Sequence, residues 1–455
     1  MKAFDRENSV WSRFSEEERL EMEAYSKKYR HFLDTARTER LAAAEIISQA
    51  EAQGVRPLES YTGLKAGDKV YWNQKGKSVI LAVIGTDPIE TGMKIVGSHI
   101  DCPRLDVKAM PVVEKDGIVY LKTHYYGGLL KYQWVCLPLS LIGVVYTADG
   151  RRVDISIGED ADDPVLFIND LLPHLGRKQA EKKLSEAIEG EMLMPLVGTN
   201  SEEEKTKPAI LQLLKEKYNI EEEDFASAEL EIIPAVKSRD VGLDRSMIMS
   251  HGHDDRVCSY GNLAAILTAK PGVKTQMALF ADKEEIGSVG NTGVNSSYFL
   301  DFTAELLALQ GHTEEIWLRR ALRHSEVLSA DVCAAYDPVF ADAYEENNAA
   351  KLGYGICLCK YTGARGKSGS NDANAEFLSK VRQIFNTANV PWQTGELGKV
   401  DQGGGGTIAY IMADWGCDVV DCGVAMHSMH APLEIVAKAD AYSGYLAYKA
   451  FFESV

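Results

Sequence analysis

Hydrophobic and polar positions follow two different rhythms in the first part of the chain. Residues 15–54 are rich in Ala, Glu, Leu and Arg, which predicts a helix, and Ser15 followed by Glu18 is typical of a capping box at its start. The continuous apolar runs at 78–85 and 94–101 are instead typical of strands with both faces covered. This part is therefore predicted to be a helix followed by strands of a buried sheet.

Between residues 105 and 240 the pattern changes to short β-rich runs broken by turn residues. Asp-Gly pairs at 116–117 and 149–150 predict two hairpins. The charged stretch 201–207 is predicted to be loop and helix. We therefore expect an inserted, mostly antiparallel β domain at 105–240.

Helices and strands alternate again in the remaining part of the chain. The pattern predicts helices over 254–270 and 373–388, and a strand followed by a loop over 275–287. Further strand candidates occupy 326–338 and 417–434. Strands alternating with helices predict an α/β fold with a mixed or parallel sheet sandwiched by helices.

The length of the chain indicates more than one domain. It has 455 residues, whereas one domain usually has roughly 100–200. We predict a discontinuous larger domain of residues 1–104 and 241–455, interrupted by the insertion at 105–240. The sequence contains no apolar run long enough for a membrane span, and its charged N-terminus lacks the apolar core of a signal peptide, so a cytoplasmic location is expected.

Composition and charge narrow the classes of partner. Sixty-seven acidic and 49 basic residues give a formal net charge of −18. Such a surface repels phosphate backbones and anionic headgroups, so neither nucleic acid nor membrane is an expected partner. The eight cysteines are scattered without a Cys-x-x-Cys pair, and Cys357 and Cys359 are predicted to be small buried residues on one face of a strand.

Five segments place His, Asp or Glu where a predicted strand ends, which is where ligands bind in open α/β sheets. They contain His99 and Asp101; Asp254 and Asp255; Asp282, Glu284 and Glu285; Asp331 and Asp337; and His427, His430 and Glu434. Any single segment is better explained by a helix cap or an arginine partner. Grouped acids, however, would repel one another unless a cation lay among them. Imidazoles together with carboxylates suit a pair of divalent first-row ions.

Two pairs within these segments indicate how such a site would work. In His99-x-Asp101, the carboxylate can hold the second ring nitrogen and so fix the tautomer of a ligating imidazole. In Glu284-Glu285, one carboxylate can bind metal while its neighbour holds the nucleophilic water. The pattern therefore predicts metal-assisted hydrolysis.

The ordered segments GSHIDCPRLDVK, GHDDR, DKEEIGS, SADVCAA and MHAPLE resemble the aspartyl aminopeptidase family of co-catalytic di-zinc metallopeptidases. The resemblance implies a phosphorylase/hydrolase-like peptidase domain interrupted by a β dimerisation domain. It also implies homodimers assembled into a dodecamer, and removal of the N-terminal residue from peptide substrates. Two divalent ions per subunit are expected, with Zn²⁺ first and Co²⁺ or Mn²⁺ as alternatives.

The resemblance also implies roles for individual residues. Glu284 matches the general base, and Asp101 is the catalytic carboxylate beside the first imidazole ligand. The implied metal ligands are His99, Asp254, Glu285, Asp331 and His430. Asp254 matches the carboxylate that bridges both ions.

Two of these metal-ligand assignments have an alternative residue nearby in the sequence. The family usually has Asn after the bridging Asp, whereas Asp255 follows Asp254 here and competes with it. His430 lies four residues before Glu434, which is the usual spacing in the family, and His427 is its competitor.

The sequence gives weaker evidence for substrate-binding residues than for metal ligands. Lys360 matches a family lysine that would meet an acidic N-terminal side chain, although Arg365 or Lys367 could replace it, or the pocket could accept neutral residues. His174 resembles a family segment that reaches a neighbouring subunit's active site, and a surface-loop histidine is the alternative. The glycines of 401–407 lack the P-loop lysine and would instead let the backbone approach a substrate closely.

The predicted function is a metal-dependent aminopeptidase. A related di-metal deacylase or carboxypeptidase is the nearest alternative, because the sequence does not exclude a site for a substrate carboxylate. A non-catalytic oligomeric scaffold is the alternative from another class. Glu284 argues against the scaffold, since holding metal does not require it.

Overall fold

The computed structural model describes residues 3–5, 7–199 and 205–455, and these pack into two compact units. The first unit contains Met1–Asp101, Ser238–Met429 and Glu434–Val455, and the second contains Cys102–Lys237 and His430–Leu433. The ends of the inserted segment thus lie three residues from those predicted. Of the charged stretch predicted as loop and helix, 201–204 fall outside the described residues.

Eleven α-helices occur in the described part of the chain. They are α1 (Glu16–Thr35), α2 (Glu39–Ala52), α3 (Arg177–Ala180), α4 (Leu184–Ala187), α5 (Thr206–Tyr218), α6 (His253–Thr268), α7 (Tyr298–Leu309), α8 (Glu315–Arg323), α9 (Ala375–Thr387), α10 (Ala409–Asp414) and α11 (Lys438–Glu453). Within the described ranges, no helix combines the length and the apolar character that a bilayer crossing requires.

Twenty-one strands, counted over the same ranges, form three sheets. The first eleven are β1 (Arg56–Pro57), β2 (Lys69–Gln74), β3 (Ser78–Val83), β4 (Met93–His99), β5 (Arg104–Lys115), β6 (Ile118–Tyr126), β7 (Pro138–Tyr146), β8 (Arg152–Ile157), β9 (Leu166–Phe167), β10 (Leu196–Gly198) and β11 (Ala228–Pro234). The others are β12 (Arg239–Val241), β13 (Met247–Ser250), β14 (Thr275–Ala281), β15 (Glu326–Ser329), β16 (Cys333–Ala334), β17 (Ile356–Cys359), β18 (Trp392–Thr394), β19 (Asp418–Gly423), β20 (Ala425–His427) and β21 (Glu434–Ala437).

The helix predicted near the N-terminus is two helices. Its start is confirmed, because Ser15 and Glu18 form both hydrogen bonds of a capping box. The prediction of one continuous helix is wrong, because Ala36 leaves the helical conformation. Thr38 then begins α2, and its side chain accepts a backbone N–H of the new helix. A threonine cap offers the new helix an acceptor for one of its unpaired donors.

A mixed nine-stranded sheet forms the centre of the first unit. Its order is β1-β2-β3-β14-β4-β15-β19-β17-β18, and β14, β4, β15 and β19 run parallel to one another. Alternate residues of β14 enter different cores: Phe280 packs with residues of α1, α6 and α11, and Leu279 with residues of α7 and α10. Helices therefore cover both faces, which confirms the predicted mixed α/β arrangement.

Two of the predicted strand segments divide between sheets. In 326–338, β15 belongs to the nine-stranded sheet, whereas β16 pairs with β20 in a five-stranded sheet of order β12-β13-β21-β20-β16. The backbone explains the division, because Ala330 N–H donates to Gly97 and Cys333 N–H donates to Val424. Asp331 lies between these two anchor points, beyond the edge of the nine-stranded sheet.

The second unit is built on a seven-stranded sheet whose pairings are all antiparallel. Its order is β11-β5-β6-β10-β9-β7-β8, and β11 pairs with β7 as well as with β5. The predicted Asp-Gly hairpins join β5 to β6 and β7 to β8. Asp116 and Gly117 both have positive φ, 47° and 80°, as the tightest hairpin turns require.

Candidate metal centre and active site

The carboxyl ends of three neighbouring strands bring the predicted site residues together. Because β14 and β15 lie on either side of β4 and run parallel to it, all three strands end at one edge of the sheet. His99 ends β4, Glu284 and Glu285 follow β14, and Asp331 follows β15. With Asp254 these residues form two clusters, His99–Glu284–Asp331 and His99–Asp254–Glu285, each with donor atoms within 4.8 Å of one another.

Asp254 and Asp255 reach His99 in different ways. Both lie in the first turn of α6 with non-helical backbone angles. Asp254 places its Oδ1 atom 3.2 Å from His99 Nε2. Asp255 instead accepts the backbone N–H of His99, at 3.1 Å. The first carboxylate thus faces the cluster, and the second holds the backbone of the strand that carries the histidine.

The His99 ring is held at one nitrogen and faces carboxylates with the other. Nδ1 lies 3.1 Å from the backbone oxygen of Asp101 and 3.3 Å from its Oδ1. Nε2 lies 3.8 Å from Asp331 and 3.9 Å from Glu284, in addition to its contact with Asp254. With the Nδ1 proton donated to Asp101, Nε2 is directed into the cluster as a ligand nitrogen would be.

Asp101 also fixes the turn that carries the two glutamates. Its Oδ1 accepts the N–H of Glu284 at 3.1 Å, and its Oδ2 accepts the N–H of Glu285 at 3.2 Å. The sequence predicts only the contact with His99. The second role carries no sequence signal, because the partners are separated by more than 180 residues.

The charges in the site explain why a cation fits it. Burial raises the pKa of Glu284 well above its usual value, and the Asp331 charge raises it further. Burial alone lowers the pKa of His99, but hydrogen bonds with Asp101 and Asp254 outweigh it and raise the pKa overall. Carboxylate oxygens and an imidazole nitrogen are the ligands that zinc takes in proteins. The donor set therefore fits a divalent cation, which would offset the crowded negative charge.

The two candidate closing histidines make different contacts. His430 belongs to the second unit, where its Nδ1 atom lies 2.6 Å from the carbonyl oxygen of Gly128. His427 has its Nδ1 atom 4.0 Å from Asp337. Neither histidine is a member of the two clusters found among the described residues.

The candidate substrate-binding residues are exposed. Lys360 directly follows β17, and its backbone oxygen accepts the N–H of Ala373 at 2.8 Å. Lys367 forms an ion pair with Asp372 at 2.9 Å. His174 lies in an exposed turn between β9 and α3. None of the three is part of the clusters in the described chain.

Several supporting contacts were not predicted from the sequence. Glu434, which shares a predicted strand-end segment with His427 and His430, accepts the backbone N–H of Asp254 at 3.1 Å. Ser259 donates to the backbone oxygen of His99 at 2.6 Å. Tyr29 on α1 donates to Nδ1 of His253 at 2.6 Å. Each contact joins distant parts of the chain, so only the tertiary structure reveals it.

Comparison with known proteins shows which family this site belongs to. The family model for aminopeptidase I zinc metalloproteases (M18) matches residues 32–452. The chain belongs to the M18 family. A probable M18 family aminopeptidase 1 from Clostridium acetobutylicum is 48% identical over 455 residues, which cover 98% of each chain.

Solved structures agree with this assignment. The crystal structure of an M18 family aminopeptidase from Thermotoga maritima is 44% identical and covers 98% of this chain and 99% of its own, with a TM-score of 0.95. The structure of the yeast mApe1 dodecamer has a TM-score of 0.75 at 17% identity, covering 94% of this chain and 95% of its own, which shows a shared fold. The predicted family and enzyme class, a metal-dependent aminopeptidase, are thereby confirmed.

Proposed function

We propose that the clusters around His99 are the catalytic centre of an exopeptidase that uses two divalent ions and a glutamate base to remove N-terminal residues. The observation that carries this proposal is the convergence of His99 Nε2 with oxygens of Asp254, Asp331 and Glu284, all within 3.9 Å. His99, Asp254, Glu285 and Asp331 would hold the ions. Zinc is the expected metal, since the M18 family model describes zinc metalloproteases.

The exposure of Glu284 is compatible with the role of the base. Its side chain is 14% exposed, whereas those of His99 and Asp254 are 2% and 4% exposed. A general base must meet both water and substrate. Asp331 is 13% exposed, so exposure alone does not separate the base from the ligands, and paired variants are needed to assign the roles.

The residues of the chain account for the proton transfers. Bound divalent ions would acidify the attacking water and polarise the scissile carbonyl. Glu284 takes the proton of that water and then gives it to the leaving amine. Asp101 accepts the backbone N–H of Glu284. This hydrogen bond keeps the Glu284 carboxylate directed at one point during both proton transfers.

Paired variants test this division of roles. Glu284→Gln is expected to keep its metal content while kcat falls by about 10²–10⁴-fold, the magnitude of a lost general base. Glu285→Gln is the matched comparison and is expected to lose metal. Loss of metal from the Glu284 variant, or unchanged activity, would show that Glu284 is not the base.

A substrate panel separates an aminopeptidase from related hydrolases. Aminoacyl-anilides have the free amine that an aminopeptidase needs, whereas N-acyl amino acids are substrates for a deacylase. We expect turnover of the anilides alone. Preferential cleavage of the N-acyl amino acids would instead support the deacylase.

We further propose a preference for acidic N-terminal residues, selected by Lys360. Lys360 is exposed at the end of β17, where its ammonium group is accessible to a ligand. Lys367 is the weaker candidate, because Asp372 already compensates its charge. A charge-assisted hydrogen bond to a substrate carboxylate contributes about 1.5–3 kcal/mol, or roughly 10–100-fold in discrimination.

We also propose that the second unit mediates dimerisation and that dimers assemble into a dodecamer. The yeast mApe1 dodecamer shares this fold. Leu171, Leu172 and Leu175, which flank His174, are 48%, 49% and 65% exposed. Exposed apolar side chains grouped in one segment are typical of an interaction surface. Contact of this segment with another subunit would also bring His174 to that subunit.

Light scattering at micromolar concentration tests the assembly. The wild-type protein is expected to have the mass of an oligomer, and Leu175→Asp to shift it towards smaller species. Leu20→Asp is the control, because Leu20 is 68% exposed on α1, in the first unit. A monomeric wild-type mass would refute the proposal and remove the basis for His174 acting between subunits.

The first unit is proposed to be a phosphorylase/hydrolase-like peptidase domain. A mixed sheet covered by helices on both faces supports this proposal, as does the position of the catalytic residues at the carboxyl edge of its parallel strands.

A further inference from the structure

Three cysteine sulfurs meet in the first unit, outside the carboxylate clusters. Cys357 and Cys359 alternate on β17 and so point to the same side, and Cys333 on β16 approaches them from the five-stranded sheet. The sulfur of Cys359 lies 3.6 Å from that of Cys357 and 3.5 Å from that of Cys333. All three side chains are buried, and all three sulfurs lie within 4.8 Å of one another.

Small residues let the sulfurs come together. Ala335 and Ala350 pack in the same cluster. Gly395 passes so close that a Cβ atom there would lie 2.6 Å from the sulfur of Cys357 and 3.1 Å from that of Cys333. The backbone at 395 therefore approaches the sulfurs as only glycine allows. These neighbours contribute no side-chain donor atom.

We propose that Cys333, Cys357 and Cys359 form a three-sulfur site for one soft cation, with monovalent copper as its occupant. Thiolate sulfur selects soft ions such as Cu(I). With metal–sulfur bonds of about 2.3 Å, three sulfurs around one ion stand about 3.8–4.0 Å apart, a few tenths of an ångström more than two of the spacings here. Each coordinating thiol releases its proton to solvent as the ion binds.

The number of donors decides between copper and zinc. Structural zinc is almost always bound by four ligands in a tetrahedron, whereas the group of His, Cys, Asp and Glu donors within 4.8 Å of one another found here among the described residues consists of these three sulfurs. Cu(I) is satisfied by three sulfurs in a plane and needs no fourth donor. The site is therefore expected to discriminate against zinc, which the oxygen-rich clusters around His99 accept.

An ion bound to these three sulfurs would also hold the segment near Asp331 in place. Cys333 lies two residues after Asp331, and its backbone N–H donates to Val424 at 2.9 Å. An ion bound by all three sulfurs would tie this segment to β17. The thiol site would thereby fix the segment that carries Asp331, one of the proposed metal ligands.

A titration of the full-length zinc-loaded protein tests the proposal. Cys136 is the exposed cysteine among the eight, so Cys136→Ser is used as the background to prevent binding at the surface. Cu(I) is added without oxygen against a competing Cu(I) chelator. The thiolate-to-copper charge-transfer absorption in the near ultraviolet is recorded, and the copper content per chain is determined by native mass spectrometry.

One copper ion per chain and a charge-transfer band are expected in the background protein. Both should be lost in Cys357→Ala and, independently, in Cys359→Ala. Cys422→Ala is the control and should retain both, because Cys422 pairs with Leu358 and lies on the opposite face of the same sheet. Absence of the band from the background protein, or its persistence in both cluster variants, would overturn the proposal.

Discussion

Nδ1 of His99 lies 3.3 Å from a carboxylate oxygen of Asp101. The same carboxylate accepts the backbone N–H groups of Glu284 and Glu285. One buried acid therefore sets both the direction of the imidazole and the position of the turn that carries the base. The ends of two strands, β4 and β14, are coupled through this group, so a disturbance at Asp101 should affect metal binding and catalysis together.

Replacing Asp101 tests this coupling. Asp101→Ala is expected to weaken metal binding by about 10–100-fold, the usual cost of losing the partner of a ligating histidine, and to lower kcat as well. Asp101→Asn should cost less, because its amide oxygen still accepts one hydrogen bond. Metal affinity is measured by chelator competition and kcat at saturating metal. Unchanged affinity in the alanine variant would show that Asp101 does not orient His99.

Metal content distinguishes the ligand assignments. His99→Ala, Asp254→Ala and His430→Ala are each expected to lower the metal bound per chain, and Asp254→Ala to lower it most if this carboxylate bridges two ions. His427→Ala is the control, because its ring faces Asp337. Metal is measured by elemental analysis after dialysis. If His427→Ala loses metal and His430→Ala keeps it, the closing ligand is His427.

Substrate selection tests Lys360. In the wild-type protein, kcat/KM is expected to be higher for N-terminal Asp or Glu than for Leu. Lys360→Met should reduce this ratio by roughly 10–100-fold, because an ammonium–carboxylate hydrogen bond is lost. Lys367→Met, which removes an amine already paired with Asp372, should leave it nearly unchanged. A wild-type preference for Leu would refute an acidic specificity.

A buried ion pair at the other end of β4 predicts a dependence of stability on pH. Lys94 Nζ lies 2.6 Å from Glu326, and burial lowers the pKa of Lys94 from 10.5 to about 8. Between about pH 8 and pH 10.5, Lys94 is therefore protonated in the unfolded chain and deprotonated in the folded protein. The contribution of Lys94 to the free energy of unfolding therefore rises with pH across this window and is lost as pH falls towards 8.

The matched variant for this prediction is Lys94→Met, which removes the titrating group. Denaturant unfolding of both proteins from neutral pH to about pH 10 gives the difference in unfolding free energy. The wild-type protein should gain stability relative to the variant as pH rises above the lowered pKa of Lys94. A constant difference would show that the pKa of Lys94 is not lowered by folding.

Features that depend on interactions between residues close together in the chain could be predicted from the sequence. The capping box at Ser15, the turn at Asp116 and the apolar strands β3 and β4 all follow from residues close together in the chain. The candidate acids and His99 were found because their segments follow apolar strands, and parallel strands end at a common edge. The burial of Cys357 and Cys359 was also predicted, from their alternation on a strand.

Which of these groups meet depends on the tertiary fold. It placed β14 and β15 on either side of β4, which brings Glu284 and Asp331 to His99. It also gave Asp101 its second role, and it brought Cys333 to the cysteines of β17 from another sheet. The order of strands in a sheet depends on long-range packing, and residue periodicity reports only which face of an element is buried. Contacts between distant segments therefore leave no local pattern from which they could be predicted.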